Sequence, residues 1–184
     1  DSKAQVFERN KFSKSRVSLS KELKEYLEDI EMDISCKHKP QLLLSNIYVF
    51  PYLKGEKLEN SNKIKTYRGQ ENILEIIQAK KKILINGNKE YGKTALIKRL
   101  FMILYDRGYY PIFLDVAEIR SANDDIINSL IRETYTKSYI NLDVDEVMQL
   151  ENEKKVCFID NFDDVGLSDK SQKKFLEYIN SQFD

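Results

Sequence analysis

The sequence has few of the residues that build disulfides, metal centres and hydrolase active sites. It contains two cysteines and one histidine among 184 residues. Cys36 and Cys157 show no metal-binding or redox spacing. With His38 as the sole histidine and no matching base, Ser-His-Asp and Cys-His catalytic sets are excluded. Cys157 lies in an apolar run, which indicates a buried, reduced thiol and a reducing cytoplasm.

An excess of charge of one sign and long apolar runs are also missing. The chain has 30 Lys and Arg against 30 Asp and Glu, so no overall basic field favours nucleic acid. No apolar run reaches the roughly 18 residues of a membrane span, and no signal peptide is visible. Hydrophobic residues make up 41% and charged residues 33%, which is typical of a globular protein. We therefore expect a cytoplasmic protein whose partners are neither membranes nor nucleic acids.

Apolar runs and segments with helical spacing alternate along the second half of the chain. Each run predicts a strand, and each following segment, with apolar residues three and four apart, predicts a helix. We predict strands at 83–86, 111–116 and 156–160. We predict helices at 71–80, 94–107, 122–138, 143–152 and 169–181. This alternation favours a parallel sheet covered by helices on both faces.

The first 65 residues differ in character and form the first of two predicted domains. Helical spacing begins at Ser18, LLLSNIYVFPYL at 42–53 predicts a strand or extended arm, and a polar linker follows at 54–68. The predicted domains are therefore a helical and extended lead-in over 1–65 and a partial α/β core over 66–184. Because the chain begins with Asp rather than Met, we interpret it as a piece of a longer protein.

The segment GNKEYGKT, residues 87–94, matches a phosphate-binding loop placed between a predicted strand and a predicted helix. Glycines let backbone N–H groups point at phosphate oxygens, and the helix N-terminus adds partial positive charge. Lys93 would reach the terminal phosphates, and the Thr94 hydroxyl would ligate Mg²⁺. The alternative is a polar glycine turn without a ligand. The predicted nucleotide-binding residues are Gly87, Asn88, Lys89, Glu90, Tyr91, Gly92, Lys93, Thr94 and Ala95.

An acidic residue ends the last predicted strand. In VCFIDNFDDV, four apolar residues lead into Asp160, which places its carboxylate at the carboxyl edge of a buried parallel strand. We predict that Asp160 is the second protein partner of the Mg²⁺ ion. Asp163 and Asp164 follow, and either is a candidate for polarising an attacking water. The alternative is that these acids only cap or solvate the next loop.

These two motifs together resemble those of STAND-class NTPases, notably the NACHT group. Asp160 to Asp164 is similar to that family's pattern of an aspartate, a small residue, an apolar residue and two acids, although Asn161 is larger than usual. TYRGQENILEII, residues 66–77, resembles the segment before the phosphate loop, with Gln70 in place of arginine. YLEDIEMDIS followed by LLLSNIYVFPYL is similar to the joint between effector and NTPase core in bacterial, metallophosphoesterase-linked members.

The resemblance implies a signalling switch built on a P-loop NTPase fold, a parallel sheet flanked by helices. Such proteins bind ATP, detect a ligand with a C-terminal sensor, oligomerise and activate an effector, often in bacterial defence. It implies ATP or ADP and Mg²⁺ as ligands here, with Lys93, Asp160, Asp163 and Asp164 as catalytic residues of a slow ATPase. An upstream effector, a downstream sensor and homo-oligomers of the full-length protein are implied as partners.

The chain ends at Asp184, shortly after the helix that follows Asp160. In the resembled family the next strand inserts between the phosphate-loop strand and the aspartate strand, so we expect a sheet truncated at its C-terminus. We also expect this chain to be a weak ATPase at best. No arginine is assigned to the phosphates, because Arg99, Arg107, Arg120 and Arg132 are interpreted as surface residues.

Three other functions remain open at the level of sequence. A DNA-associated AAA+ ATPase would carry a basic groove and a glutamate after the strand aspartate, and the neutral charge and Asn161 disfavour it. A small-molecule or nucleotide kinase would need an arginine-bearing lid. A non-enzymatic interaction module would keep the loop only as structure.

Overall fold

The structure, a computed structural model, describes residues 17–31, 42–57, 64–80, 82–116, 119–150, 154–162 and 165–183. This part of the chain is mixed α/β, with seven helices and three two-stranded sheets. It falls into two compact units. The aspartate unit combines the described residues of Asp1–Leu27 with those of Phe101–Asp184, and the loop unit lies within Glu28–Leu100.

The aspartate unit is organised around a parallel strand pair. Strand β4 (Tyr110–Asp115) pairs with β6 (Lys155–Asp160), from Tyr110 opposite Lys155 to Asp115 opposite Asp160. The parallel pairing predicted for these two strands is confirmed. The predicted burial of both faces is only half right, because Ile112 and Leu114 of β4 are buried whereas 156–160 of β6 are partly exposed.

Helices and two short strands complete this unit. The helices predicted there are confirmed as α5 (Asp124–Ser138), α6 (Val144–Gln149), α7 (Asp169–Phe183) and the end of α4 (Lys93–Asp106). Asn123 and Asp143 cap α5 and α6 by accepting backbone N–H groups of the first turn, which explains where these helices begin. Strand β1 (Ser18–Leu19) pairs antiparallel with β5 (Tyr139–Ile140).

The helix predicted from Ser18 begins later than expected. Ser18 and Leu19 are taken by β1, and helix α1 covers Lys21–Glu28. Ser20 marks the change, since its hydroxyl accepts the N–H of Leu23 at 3.3 Å and its own N–H donates to Ser138 O at 2.8 Å. Pairing with β5 and the hydrogen bond to Ser138 at the end of α5 therefore override the helical spacing at residues 18–20.

A hydrophobic core fills the aspartate unit. Its buried members come from β1, α1, β4, α4 to α7, β5 and the connecting loops. They are Leu19, Leu27, Phe101, Ile112, Leu114, Val116, Ala122, Ile127, Ile131, Tyr135, Tyr139, Val147, Val165, Leu167, Phe175 and Ile179. Two buried tyrosines also satisfy backbone carbonyls, as Tyr139 donates to Pro111 O at 2.7 Å and Tyr135 to Tyr110 O at 3.1 Å.

The loop unit contains a hairpin where a linker was predicted. Strand β2 (Tyr52–Lys57) pairs antiparallel with β3 (Ile64–Arg68), and the residues between them lie outside the described part. The arm predicted at 42–53 is also wrong in part, since Leu44–Ile47 form a helical turn, α2. A cross-strand partner satisfies the backbone of a polar strand, which apolar patterning alone does not reveal. Helix α3 (Gly69–Ala79) confirms the predicted helix at 71–80.

The strand predicted at 83–86 is absent. Residues 82–88 have no regular structure, Leu84 is 90% exposed and Ile83 is 43% exposed. An apolar run becomes a strand only when another strand binds its N–H and C=O groups, and none of the described strands does so. The parallel sheet of the described residues therefore has two strands.

Candidate phosphate-binding site

The loop between Gly87 and helix α4 has the backbone of a tight turn. Glu90 and Gly92 have left-handed φ values of 66° and 75°. Gly92 suits glycine because an L side chain at that φ is strained, although a Cβ there would meet no atom within 4 Å. The Gly92 carbonyl accepts the N–H of Leu96 at 2.9 Å and so begins the helical hydrogen bonding. The φ of Gly87 is not left-handed, and a Cβ there would meet only Tyr91 Cβ, at an ordinary contact distance of 4.0 Å, so glycine is not sterically required.

Lys93 folds back over this loop. Its Nζ donates to the carbonyl of Gly87 at 2.7 Å and to that of Asn88 at 3.1 Å. The loop is thereby closed by the first residue of α4, and a positive charge is held beside the helix N-terminus. Phosphate oxygens can replace these two neutral carbonyls as acceptors of Lys93, because a hydrogen bond between an ammonium and a charged oxygen is stronger than one to a carbonyl.

The loop is open to solvent. Residues 87–92 are exposed, whereas Lys93, Thr94 and Ala95 are partly buried as the helix begins. The backbone and the Lys93 ammonium can therefore be reached by a ligand. All nine predicted binding residues lie in this one continuous segment, so their proximity follows from the sequence itself, and their role in binding stays a prediction.

Asp160 occupies the predicted position at the end of a strand. It is the last residue of β6 and lies opposite Asp115, the last residue of β4. Because the two strands are parallel, both aspartates are at the carboxyl edge of the pair. Asn161 then takes a left-handed φ of 55°, which turns the chain out of the strand. Asp163 and Asp164 lie outside the described residues.

The Mg²⁺ role of Thr94 and Asp160 stays a prediction. Thr94 belongs to the loop unit and Asp160 to the aspartate unit. Within the described ranges, no group of three or more His, Cys, Asp and Glu residues could hold a metal ion. The residue types nevertheless fit Mg²⁺, which usually takes one or two protein oxygens and completes its shell with phosphate and water.

Sequence reasoning missed a cluster of charges on helix α4. Lys98 is 1% exposed and its Nζ lies 2.6 Å from Glu31 Oε1. Arg99, predicted to lie on the surface, has a side chain only 18% exposed and an Nη1 atom 3.9 Å from Glu28 Oε1. The signal was present in the sequence, because apolar residues surround this pair in TALIKRLFMIL and helices that are apolar all round are buried.

Comparison of the chain with protein-family models, with curated proteins and with solved structures finds no match. The resemblance to STAND-class NTPases thus rests on the motifs alone. Among the described helices, none is both long and apolar enough to span a membrane.

Proposed function

We propose that residues 87–95 bind the phosphate groups of a nucleotide, ATP together with Mg²⁺, on a P-loop NTPase fold. The observation that carries this proposal is the position of Lys93, whose ammonium lies 2.7 Å and 3.1 Å from two carbonyls of its own loop. A left-handed Gly92 and the start of a 14-residue helix accompany it. A tight backbone turn, a helix N-terminus and a cation beside them are parts of a phosphate cradle.

Different residues of the chain would bind the phosphates and the metal ion. Backbone N–H groups of the exposed loop and of the first turn of α4 would donate to phosphate oxygens. Lys93 would exchange its two carbonyl acceptors for the terminal phosphates. Thr94 and Asp160 would hold Mg²⁺, which neutralises phosphate charge when bound.

The wider role that we propose is that of a STAND-type switch in a longer cytoplasmic protein. Binding of the γ-phosphate would favour one arrangement of domains, and oligomerisation would then activate an effector. Slow ATP hydrolysis would reset the switch. The choice of ATP over GTP rests on the family resemblance, since no guanine-reading Asn-Lys-x-Asp motif is present in a suitable loop.

Calorimetric titration tests the phosphate site. ATP and GTP, with and without Mg²⁺, are titrated into the chain, into Lys93→Ala and into Lys80→Ala, which removes an exposed lysine at the end of α3 as a matched control. We expect Lys93→Ala to weaken ATP–Mg²⁺ binding by roughly 10- to 100-fold, because a hydrogen bond to a charged group is worth about 1.5–3 kcal/mol. Lys80→Ala should bind like the parent.

Asp160→Ala tests the metal assignment separately. We expect this variant to keep part of its ATP affinity and to lose the dependence of binding on Mg²⁺.

Equal binding of ATP–Mg²⁺ by the parent and Lys93→Ala would reject the phosphate site. It would favour the interaction module, in which the loop serves only as structure.

A further inference from the structure

Helix α4 is anchored by a buried cation about one and a half turns after Lys93. The side chain of Lys98 is 1% exposed. Its Nζ donates to Glu31 Oε1 at 2.6 Å and to the backbone carbonyl of Asp29 at 3.3 Å. Lys98 therefore ties the helix that starts at the phosphate loop to the short segment that follows α1.

A second ion pair lies beside the first. Arg99 Nη1 is 3.9 Å from Glu28 Oε1, and Glu28 Oε2 accepts the N–H of Ser45 at 2.8 Å. Burial raises the pKa of Tyr48 to about 12, and the charge of Arg99 opposes part of that rise. The segments around Glu28 and Ser45–Tyr48 are thus linked to the same stretch of α4.

Stability alone does not account for a lysine at this position. Removing an ammonium group from water is unfavourable, whereas burying a methionine of similar length is favourable, and an ion pair only roughly offsets the desolvation of the ammonium. Glu31 is also held at a left-handed φ of 54°, in a turn where its N–H donates to Asp29 Oδ1 at 2.9 Å. Backbone strain at a residue that pairs with a buried charge is expected where the fold must hold that charge in one fixed position.

We propose that Lys98, through Glu31 and the Asp29 carbonyl, is a positioning residue for the phosphate loop. The inference rests on the proposed function of that loop. Lys93 and Lys98 lie on one continuous helix, about 7.5 Å apart along its axis. An anchor at Lys98 therefore fixes the position of the first turn of α4 along the helix axis and its rotation about that axis. Small displacements of a binding group are costly, so this anchor sets the affinity for phosphates.

The test compares Lys98→Met, Lys98→Arg, Glu31→Gln and the Lys98→Met/Glu31→Gln double variant. Inorganic tripolyphosphate and ATP–Mg²⁺ are titrated by calorimetry, and thermal unfolding is recorded in parallel. We expect Lys98→Met and Glu31→Gln each to weaken binding about tenfold. The double variant should bind no more weakly than the weaker of the two single variants, because both substitutions break the same ion pair. Lys98→Arg should bind more tightly than Lys98→Met. Lys137→Met, which removes an exposed lysine 3.7 Å from Glu133, is the control and should bind like the parent.

Hydrogen exchange of backbone amides gives a readout that needs no ligand. We expect amides of 88–97 to exchange about tenfold faster in Lys98→Met and Glu31→Gln than in Lys137→Met, with those of β4 and β6 unchanged. If Lys98→Met does not fold, Glu31→Gln decides, because the Glu31 side chain is 59% exposed. Lower thermal stability with parental affinity and parental exchange of 88–97 would overturn the proposal. If the parent itself binds neither ligand, the proposed function fails and the exchange rates alone decide whether Lys98 positions the loop.

Discussion

The two units of this protein are built in contrasting ways. The buried core cluster lies entirely in the aspartate unit, where residues of β1, β4 and β5 pack with residues of α1 and of α4 to α7. The loop unit contains most of the large apolar side chains that are exposed among the described residues. These are Ile47, Val49, Tyr52, Ile83, Leu84 and Tyr91. The loop unit also buries apolar side chains, namely Leu44, Ile73, Leu74, Leu96 and Leu100, but it adds an exposed loop and a buried ion pair between Lys98 and Glu31.

This contrast assigns different sensitivities to the loop at 87–95 and to the end of β6. Ligand-binding segments often come from the less stable parts of a protein, where few apolar contacts oppose movement. Asp160 ends a strand of the packed unit, and Lys93 closes an exposed loop of the other. Substitutions should therefore act on global stability in the core of the aspartate unit and on ligand affinity in the exposed loop at 87–92.

The largest effect is expected from Phe175→Ala in α7. Phe175 is 0% exposed, and its ring packs 6.2 Å from that of Phe162, centroid to centroid. Loss of the ring should lower the free energy of unfolding by about 3–5 kcal/mol, because it leaves a cavity in the core. Urea unfolding followed by circular dichroism measures this loss. The neighbouring Leu176→Ala, at an exposed position, should cost less than about 1 kcal/mol, and an equal loss would contradict the assignment of the core.

Alkaline pH should destabilise the aspartate unit in particular. Burial raises the pKa values of the Tyr135 and Tyr139 hydroxyls and of the Cys157 thiol. The folded state keeps these groups protonated, while in the unfolded chain the thiol ionises near pH 8.5 and tyrosine near pH 10. Their stabilising contribution is thus complete below about pH 8 and declines as pH rises, by about 1.4 kcal/mol per unit for each group above its unfolded pKa.

Urea unfolding at pH values from 7 to 11 measures this decline. Tyr135→Phe removes one of the titrating groups and should make the loss between pH 10 and 11 smaller by roughly 1 kcal/mol. A stability that stays level up to pH 11 would show that these groups ionise as readily in the folded state.

An intermediate effect is expected from Gly92→Ala in the loop. The left-handed φ of 75° should cost an alanine about 1–2 kcal/mol, with no added clash because the space around this position is open. The loop relaxes locally to avoid that cost, so tripolyphosphate affinity should fall about tenfold while the urea midpoint changes little. Gly87→Ala is the matched control, since its φ is ordinary, and it should affect backbone strain far less.

The smallest effect is expected from Leu84→Ser. Leu84 is 90% exposed, so replacing it should change the free energy of unfolding by less than about 0.5 kcal/mol. The same urea series measures it beside Phe175→Ala. A loss of several kcal/mol would show that 83–86 is buried in a sheet after all and would weaken the contrast between the two units.

Most helices and the β4–β6 pair could be predicted because their signals are local. Apolar spacing and capping residues such as Asn123 and Asp143 indicate where helices begin, and the compact runs PIFLDV and VCFID become strands that pair with each other. The run ILIN has the same character and failed because pairing depends on a second strand, which a local pattern does not contain. The β2–β3 hairpin was missed for the converse reason, since its stability comes from its partner rather than from apolar residues.

Within the candidate site, the order of Gly92, Lys93 and Thr94 was enough to place the loop at the start of a helix. The sequence did not reveal that Lys93 bonds to its own loop or that Lys98 reaches Glu31, because both depend on how the chain folds back. From sequence alone, a lysine is predicted to lie on the surface, because its burial depends on a partner that the local pattern does not contain.

The pairing of β1 with β5 has a consequence for synthesis. Ser18 lies opposite Ile140, and Leu19, beside it, is buried in the core of the aspartate unit. Because translation runs from the N-terminus to the C-terminus, β1 is made before its partner strand, which follows only after the whole loop unit and α5. Leu19 and Leu27 therefore stay without these partners until residues 28–138 have been made. Long-range pairing of this kind slows folding, so we expect this apolar segment to be a site at which a chaperone protects the nascent chain.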